Sequence, residues 1–456
     1  MKKNKLEEFI GISGYLSKTE GIGGKIREKI EDFVVEEITP EGEILKVGRG
    51  YGFKFGKRSR YVVFLLEKHG WDAFRAIETL AEHLNVNPEN FSFAGIKDKQ
   101  AITIQRVSVW GIKPEDLHKI KINGLYIRGC WYSDEKIYTG NLWGNHFRIV
   151  IRKITLEKSE VEYRIWKILD EIKEVGGFPN FFGFQRFGTR RPTNHIIGKY
   201  IVKGLFKEAV VRFLTESSPY EDERTKEARQ KLKENMNFKE AAKIFPSYLW
   251  YEKRMLEYLS RHPRGYISAL RLIPKQLRTM FTHSYTSYIF NKIVSHKMKT
   301  KTLNEVFEGD FVLEIDGSGL PVNEPCEVTS CNLKELREKV KKGQVVVALP
   351  LIGYRVKIPR GKTGDIIKDI LEEEGVGLED FRIKSMPELS VKGTYRAVLL
   401  KIKDFKVAEI NKDELSPYML KILLFFSIPR GGYATTVLRE FMKPHDPVSA
   451  GFLNSS

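Results

Sequence analysis

The chain has 456 residues, 41% hydrophobic and 12% aromatic, which excludes a disordered protein and exceeds what one core usually holds, so two domains are expected. Lys+Arg total 77 against 59 Asp+Glu, a net charge of +18. That excess is spread along the chain rather than gathered in a tail, which favours a broad polyanion-binding surface and salt-sensitive binding of RNA or DNA.

The predicted elements begin with a glycine cluster, Gly21-Ile22-Gly23-Gly24, ahead of a short strand around Ile26, and Asp32 to Ile38 reads as a second strand. Arg27 taken alone reads as an exposed edge-strand arginine. Tyr61 to Glu67 is a strand, and Trp71 to Leu84 carries Ala73, Ile77, Leu80, Ala81 and Leu84 at helical spacing. Asn87-Pro88 opens the turn into Phe93-Ala94-Gly95-Ile96-Lys97-Asp98-Lys99-Gln100, and Ala101 to Val109 alternates as a strand. Asp98 is thus a carboxylate between two ammonium groups on a turn that feeds a strand, and nearby cations favour the charged form of an acid. Such a group serves as nucleophile or general base; composition alone reads it as a solvated turn. Leu125 to Trp131 and Phe147 to Ile154 supply further strands, and Ser159 to Val175 a helix closed by Gly176-Gly177.

Phe178-Pro179-Asn180-Phe181-Phe182-Gly183-Phe184-Gln185-Arg186-Phe187-Gly188 follows, either a buried loop or a platform on which bases stack beside a phosphate-binding arginine. From about Arg190 long amphipathic or charged helices are expected: 195–205, 207–216, 221–234, 249–260, and 268–298 interrupted at Pro274. A strand at 310–314, a Gly/Pro-rich turn, a helix near 333–341 and a strand at 344–349 come next. Strand alternation returns over 395–410, 423–428 is a buried-strand run, and Pro429-Arg430-Gly431-Gly432-Tyr433-Ala434-Thr435-Thr436 crosses a turn into a helix. No internal repeat or low-complexity tract is present.

Three of these stretches carry a resemblance. Ala94-Gly95-Ile96-Lys97-Asp98-Lys99, with Thr103 and Gln105 beyond it, resembles the catalytic motif of the tRNA pseudouridine synthase D (TruD) family. Asn180-Phe181-Phe182-Gly183-x-Gln185-Arg186-Phe187-Gly188 resembles its second signature, and Pro429 to Glu440 its C-terminal one. The resemblance implies an α+β fold: a mostly antiparallel-sheet catalytic domain, discontinuous in sequence (1–190 plus 392–456), with a large α/β insertion domain over 191–391. It implies Asp98 as the catalytic carboxylate and Arg27, six residues before the Phe of Asp-Phe-x-Val, as its partner, positioned to hold it through a forked hydrogen bond. Phe182 would stack on the target uracil and Asn180 would line that pocket, with Lys97, Gln105 and Arg186 supporting the loop backbone or RNA phosphates. One departure is local: Ile30 stands where family members often have proline.

The implied reaction, uridine to pseudouridine in structured RNA and most often at tRNA position 13, involves no redox change or net addition, so no cofactor and no metal are expected. The target base must leave its stack to reach Asp98. Composition also fits a non-catalytic tRNA-binding protein, or more weakly a metal-dependent nuclease. Cys130, Cys326 and Cys331 make no disulfide framework, lack a companion Cys or His pair, and read as structural thiols. No apolar run approaches the length of a membrane span, and the N-terminus lacks the core of a signal peptide. A cytoplasmic monomer is expected, and the Lys, Glu and Ile content hints at a heat-adapted source.

Overall fold

The computed structural model describes residues 5–453. Among them, nine strands form one sheet in the order Lys403–Asp413, Ser416–Pro429, Gly144–Ile154, Phe33–Ile38, Ile102–Trp110, Tyr61–His69, Leu125–Ser133, Gly52–Phe53, with Phe91–Phe93 paired beside Ile102–Trp110. All neighbours run antiparallel except two pairs, Phe33–Ile38 with Ile102–Trp110 and Gly52–Phe53 with Leu125–Ser133. The first exception organises the site. Because those two central strands run side by side in one direction, with Val34 opposite Ile102, the segments that enter them emerge at the same end of the sheet. Arg27 lies ahead of one and Asp98 ahead of the other.

Phe33–Ile38 is buried along its whole length, as a central strand covered on both faces must be. Helix Lys158–Val175 lays Val161, Ile165, Ile168 and Ile172 on one face with Phe33, Val35, Ile149 and Ile151. Over the other half of the same face, where Val35 stands beside Thr103 and Phe64 beside Val107, helix Ala73–Leu84 packs Ala76, Ile77, Leu80 and Ala81 against Phe64, Leu66, Val107 and Val109. That helix starts where the Asp72 side chain accepts from the backbone N–H of Phe74 and Arg75 at 3.0 and 3.1 Å. It stops at Asn85, whose φ of 51° turns the chain out of it, the conformation a helix C-cap requires.

The segment after 190 builds helices Asn194–Val202, Phe206–Thr215, Glu223–Asn235, Phe238–Ile244 and Trp250–Arg261, then Tyr266–Arg271 and the long helix Lys275–Lys299. The break at Pro274 falls as expected, since proline tolerates the first turn of a helix but not its interior. A four-stranded sheet follows, ordered Pro321–Glu327, Phe311–Ile315, Val345–Leu351, Thr394–Ala397. Its edge strand lies where a Gly/Pro-rich turn was expected; two prolines are tolerated there because an edge strand need not donate outward.

The alternating stretch expected as one strand over 395–410 is three. Thr394–Ala397 closes the small sheet, so that sheet extends past position 391. Leu399–Leu400 pairs with Phe178–Pro179, and Lys403–Asp413 joins the large sheet. A period of two looks the same whichever sheet receives it, so the crossover left no mark in the sequence. The strand expected around Ile26 is a single bridge, Lys25 with Arg152. Helix Gly361–Glu374 was not anticipated.

Candidate active site

The Asp98 turn is held from below on two sides. From one, the Lys97 side chain turns inward, buried, to Glu37 at 3.5 Å and to the Asn145 carboxamide. Glu37 also takes Arg106 Nε at 2.9 Å. From the other, the wholly buried Lys68 ammonium donates to the carbonyl oxygens of Asp98, Trp71 and Lys97 at 2.6, 2.9 and 3.4 Å. Burial pulls Lys68 down to about 8, Asp98 and Asp72 opposing that shift and Lys97 adding to it. Gln105 lies under the same turn, buried, its amide 3.5 Å from the Gly95 carbonyl. With Lys97 turned inside, Asp98 itself points out, its side chain 31% exposed.

Arg27 meets it. Nη2 lies 3.3 Å from Asp98 Oδ1, with the arginine side chain only 4% exposed. The guanidinium stacks 4.0 Å from the centroid of the Phe33 ring and gives Nη1 to the Gly451 carbonyl at 3.2 Å. Burial lowers the pKa of Arg27 and Asp98 raises it. The forked pair expected from the sequence is instead a single contact: Nη1 goes to Gly451, and Nε has no hydrogen-bond partner among the described residues. Arg27 also has φ of 58°, a left-handed conformation costing a non-glycine residue roughly 1 kcal/mol or more, and such strain concentrates at functional sites. The C-terminal segment holds it there: Ile26 N–H donates to the Ala450 carbonyl at 3.0 Å.

The two residues open onto a cleft of about 760 Å³ with an apolar floor of Phe33, Val35 and Phe147. Its opposite wall is Tyr433, Thr435, Gln185 and Arg186. Thr435 Oγ1 donates to Gln185 Oε1 at 3.1 Å, tying the second signature to the third. Gly432 lets the wall approach, since a Cβ there would stand 2.4 Å from Ile428 Cγ2. Arg186 is half-buried, has no carboxylate partner among the described residues, and its Nε lacks a hydrogen bond there. Its guanidinium lies 5.2 Å from the centroid of the Phe182 ring.

Phe182 and Asn180 are not on that wall. Phe182 is 3% exposed, sandwiched behind Tyr433 (5.9 Å between centroids), with the Arg396 guanidinium 4.1 Å over its ring. Its backbone N–H and C=O are both taken by the Asn291 carboxamide from helix Lys275–Lys299. Asn180 spends its side chain on the Ala397 carbonyl at 2.9 Å and on Arg396 Nη2 at 2.6 Å. The structure therefore gathers Arg27, Asp98 and Arg186 at the cleft, places Lys97 and Gln105 beneath the Asp98 turn, and sets Phe182 and Asn180 one layer behind. The aromatic ring on that wall is Tyr433, which the sequence reading quoted only as part of the C-terminal signature. Lys68 and Arg396 were missed; a lysine inside the apolar run Tyr61–His69 was the available signal.

Among the described residues no three His, Cys, Asp or Glu side chains stand together as a metal-binding group, and no helix is long and apolar enough to cross a membrane. Cys130 is buried while Cys326 and Cys331 are exposed, all three as free thiols.

The family model for tRNA pseudouridine synthase D (TruD) matches residues 9–441. A Methanosarcina mazei protein named "Probable tRNA pseudouridine synthase D" is 39% identical over 97% of this chain and 98% of its own length. Proteins of the same name from Methanopyrus kandleri and Thermococcus sibiricus are 40% identical over 85% of this chain and 87% of theirs, and 36% identical over 96% and 99%. A crystal structure of a Methanosarcina mazei protein described as a tRNA pseudouridine synthase D superposes with a TM-score of 0.80 at 39% identity, covering 98% of this chain and 100% of that one. With the mostly antiparallel sheet and the cleft in place, this chain belongs to the tRNA pseudouridine synthase D (TruD) family.

Proposed function

We propose that the chain isomerises a uridine of tRNA to pseudouridine, at position 13 as the family resemblance implies, and that Asp98 is the carboxylate that starts the reaction. The observation that carries this reading is the Arg27–Asp98 pair, 3.3 Å apart, at the edge of an apolar-floored cleft. The reaction breaks C1′–N1, turns the freed uracil and forms C1′–C5, releasing the C5 proton as N1 gains one. A carboxylate begins this either by attack at C1′ or by removing the C2′ proton, and both need the everted base held beside it. Tyr433 offers a ring to that base, and Phe33, Val35 and Phe147 exclude water beneath it. Arg27 keeps the carboxylate aimed, and Arg186, with the net charge of +18, suits an RNA backbone.

The direct test is a tRNA transcript tritiated at uracil C5. Incubation should release the label to water and leave one uridine converted; a transcript bound tightly that keeps all its label would reject the proposal. Tyr433→Ala should lower kcat/KM in the same assay by about tenfold, the usual worth of one stacked base. Tyr433→Phe, which keeps the ring, should stay within about twofold of the parent.

A further inference from the structure

A second groove, of about 670 Å³, runs alongside the cleft. The two share Phe74, Phe93 and Thr139, so they form one continuous trough. Phe74, on the first turn of helix Ala73–Leu84, is 48% exposed, and Tyr138 across the groove is 60% exposed. Phe74 edges onto Phe93 at 6.4 Å, which fixes its ring while leaving its surface open. Two large aromatics left in water next to a substrate cleft form an apolar patch that the core does not account for.

We propose that this groove receives the base of an unpaired nucleotide flanking the target uridine, with Phe74 as its stacking platform. The inference rests on the proposed action of the adjoining cleft on RNA. An everted uridine at Asp98 leaves its neighbour in the chain at the mouth of the cleft, and the trough is the continuation open to it. The groove also carries Glu78 and Glu89 against one lining cation, Lys136, so its lining is net acidic and disfavours phosphate. The uncharged part of the nucleotide therefore enters, while Lys99 and Arg186 stay with the backbone. Gln276, at the start of helix Lys275–Lys299, lines the groove as well; its carboxamide can pair with a base edge, so the segment after 190 takes part in reading the flanking base.

The test is a binding cycle read by fluorescence anisotropy. Target stem-loops carry an abasic residue immediately 5′ or immediately 3′ of the uridine and are titrated with the parent protein and with Phe74→Ala. Expected is a loss of affinity of about tenfold for Phe74→Ala on the intact RNA, a similar loss for the parent at one of the two abasic sites, and no further loss when both changes combine. Phe74→Trp should bind the intact RNA like the parent, which separates lost stacking from misfolding. Losses that multiply at both positions, or an unaltered affinity for Phe74→Ala, would overturn the proposal. Tritium release by the parent is followed on the same RNAs. A parent that releases no label but shows the non-additive binding keeps the groove and rejects the isomerase reading.

Discussion

Asp98→Asn should abolish tritium release, by about a thousandfold or more, while the affinity for tRNA stays within about threefold of the parent. The substitution is nearly isosteric, so the turn held by Lys97 and Lys68 keeps its shape. What is lost is the negative charge and the basic oxygen pair. An amide neither attacks C1′ nor accepts the C2′ proton, and no neighbour replaces it, since Glu37 lies under the turn bound to Arg106 and Lys97. Asp72, the other acid lining the cleft, is spent capping a helix. Affinity should survive because Arg186 and Lys99, the cations of the cleft lining proposed to meet phosphate, are separate groups. One side effect has a fixed sign. Arg27 loses its ion partner while remaining buried, so thermal stability should fall, and by a modest amount, because the partner it loses is partly solvated. Normal turnover by Asp98→Asn would end the assignment; lost turnover with lost binding would turn the residue into an RNA contact.

How much of this was legible in the sequence differs from residue to residue. Asp98 and Arg27 were picked out by the motifs that resemble the family, since taken alone they read as a solvated turn and an exposed edge-strand arginine; the parallel pairing of two strands brings them together. Helices with one apolar stripe, such as Ala73–Leu84 and Lys158–Val175, announce themselves through spacing. Phe182 misleads because a phenylalanine in a Gly-rich loop has the same composition whether it faces a cleft or lies under another ring. Only the third dimension shows Tyr433 in front of it and Arg396 on its face. Asn180 is similar: a polar side chain is free in a sequence and committed in a fold, here to a strand more than two hundred residues later. Lys97 reads as a surface cation flanking an acid, yet its stem lets the ammonium reach inward to Glu37. Lys68 gave one signal, a lysine inside the apolar run Tyr61–His69, which did not say what the ammonium holds. Its partners are carbonyl oxygens, which every residue has.

Lys68 therefore carries the second large prediction. Among the described residues its ammonium alone grips the carbonyls on both sides of the Asp98 α-carbon, and Lys68→Met, which keeps the stem and removes the donors, should lower kcat/KM about a hundredfold, the cost of a misplacement near 1 Å at the reacting group. A pH dependence goes with it. Below about 8 the charged amine has three hydrogens for three carbonyls; above that pH it has two, and the turn slackens. Activity should fall as pH rises through about 8. The stability contribution runs the other way. The folded-state pKa lies below the ordinary 10.5, so between about 8 and 10.5 the unfolded chain binds more protons and this group makes folding more favourable as pH rises. Loss of activity with steady or rising thermal stability across that window is a signature that alkaline unfolding does not produce. In Lys68→Met both trends should vanish, and whatever alkaline arm survives belongs to the RNA or to Lys97, whose pKa burial also lowers. An unchanged pH profile in that variant would show that the carbonyls above Lys68 keep their place without it, and that the position of Asp98 is set from the Lys97–Glu37 side alone.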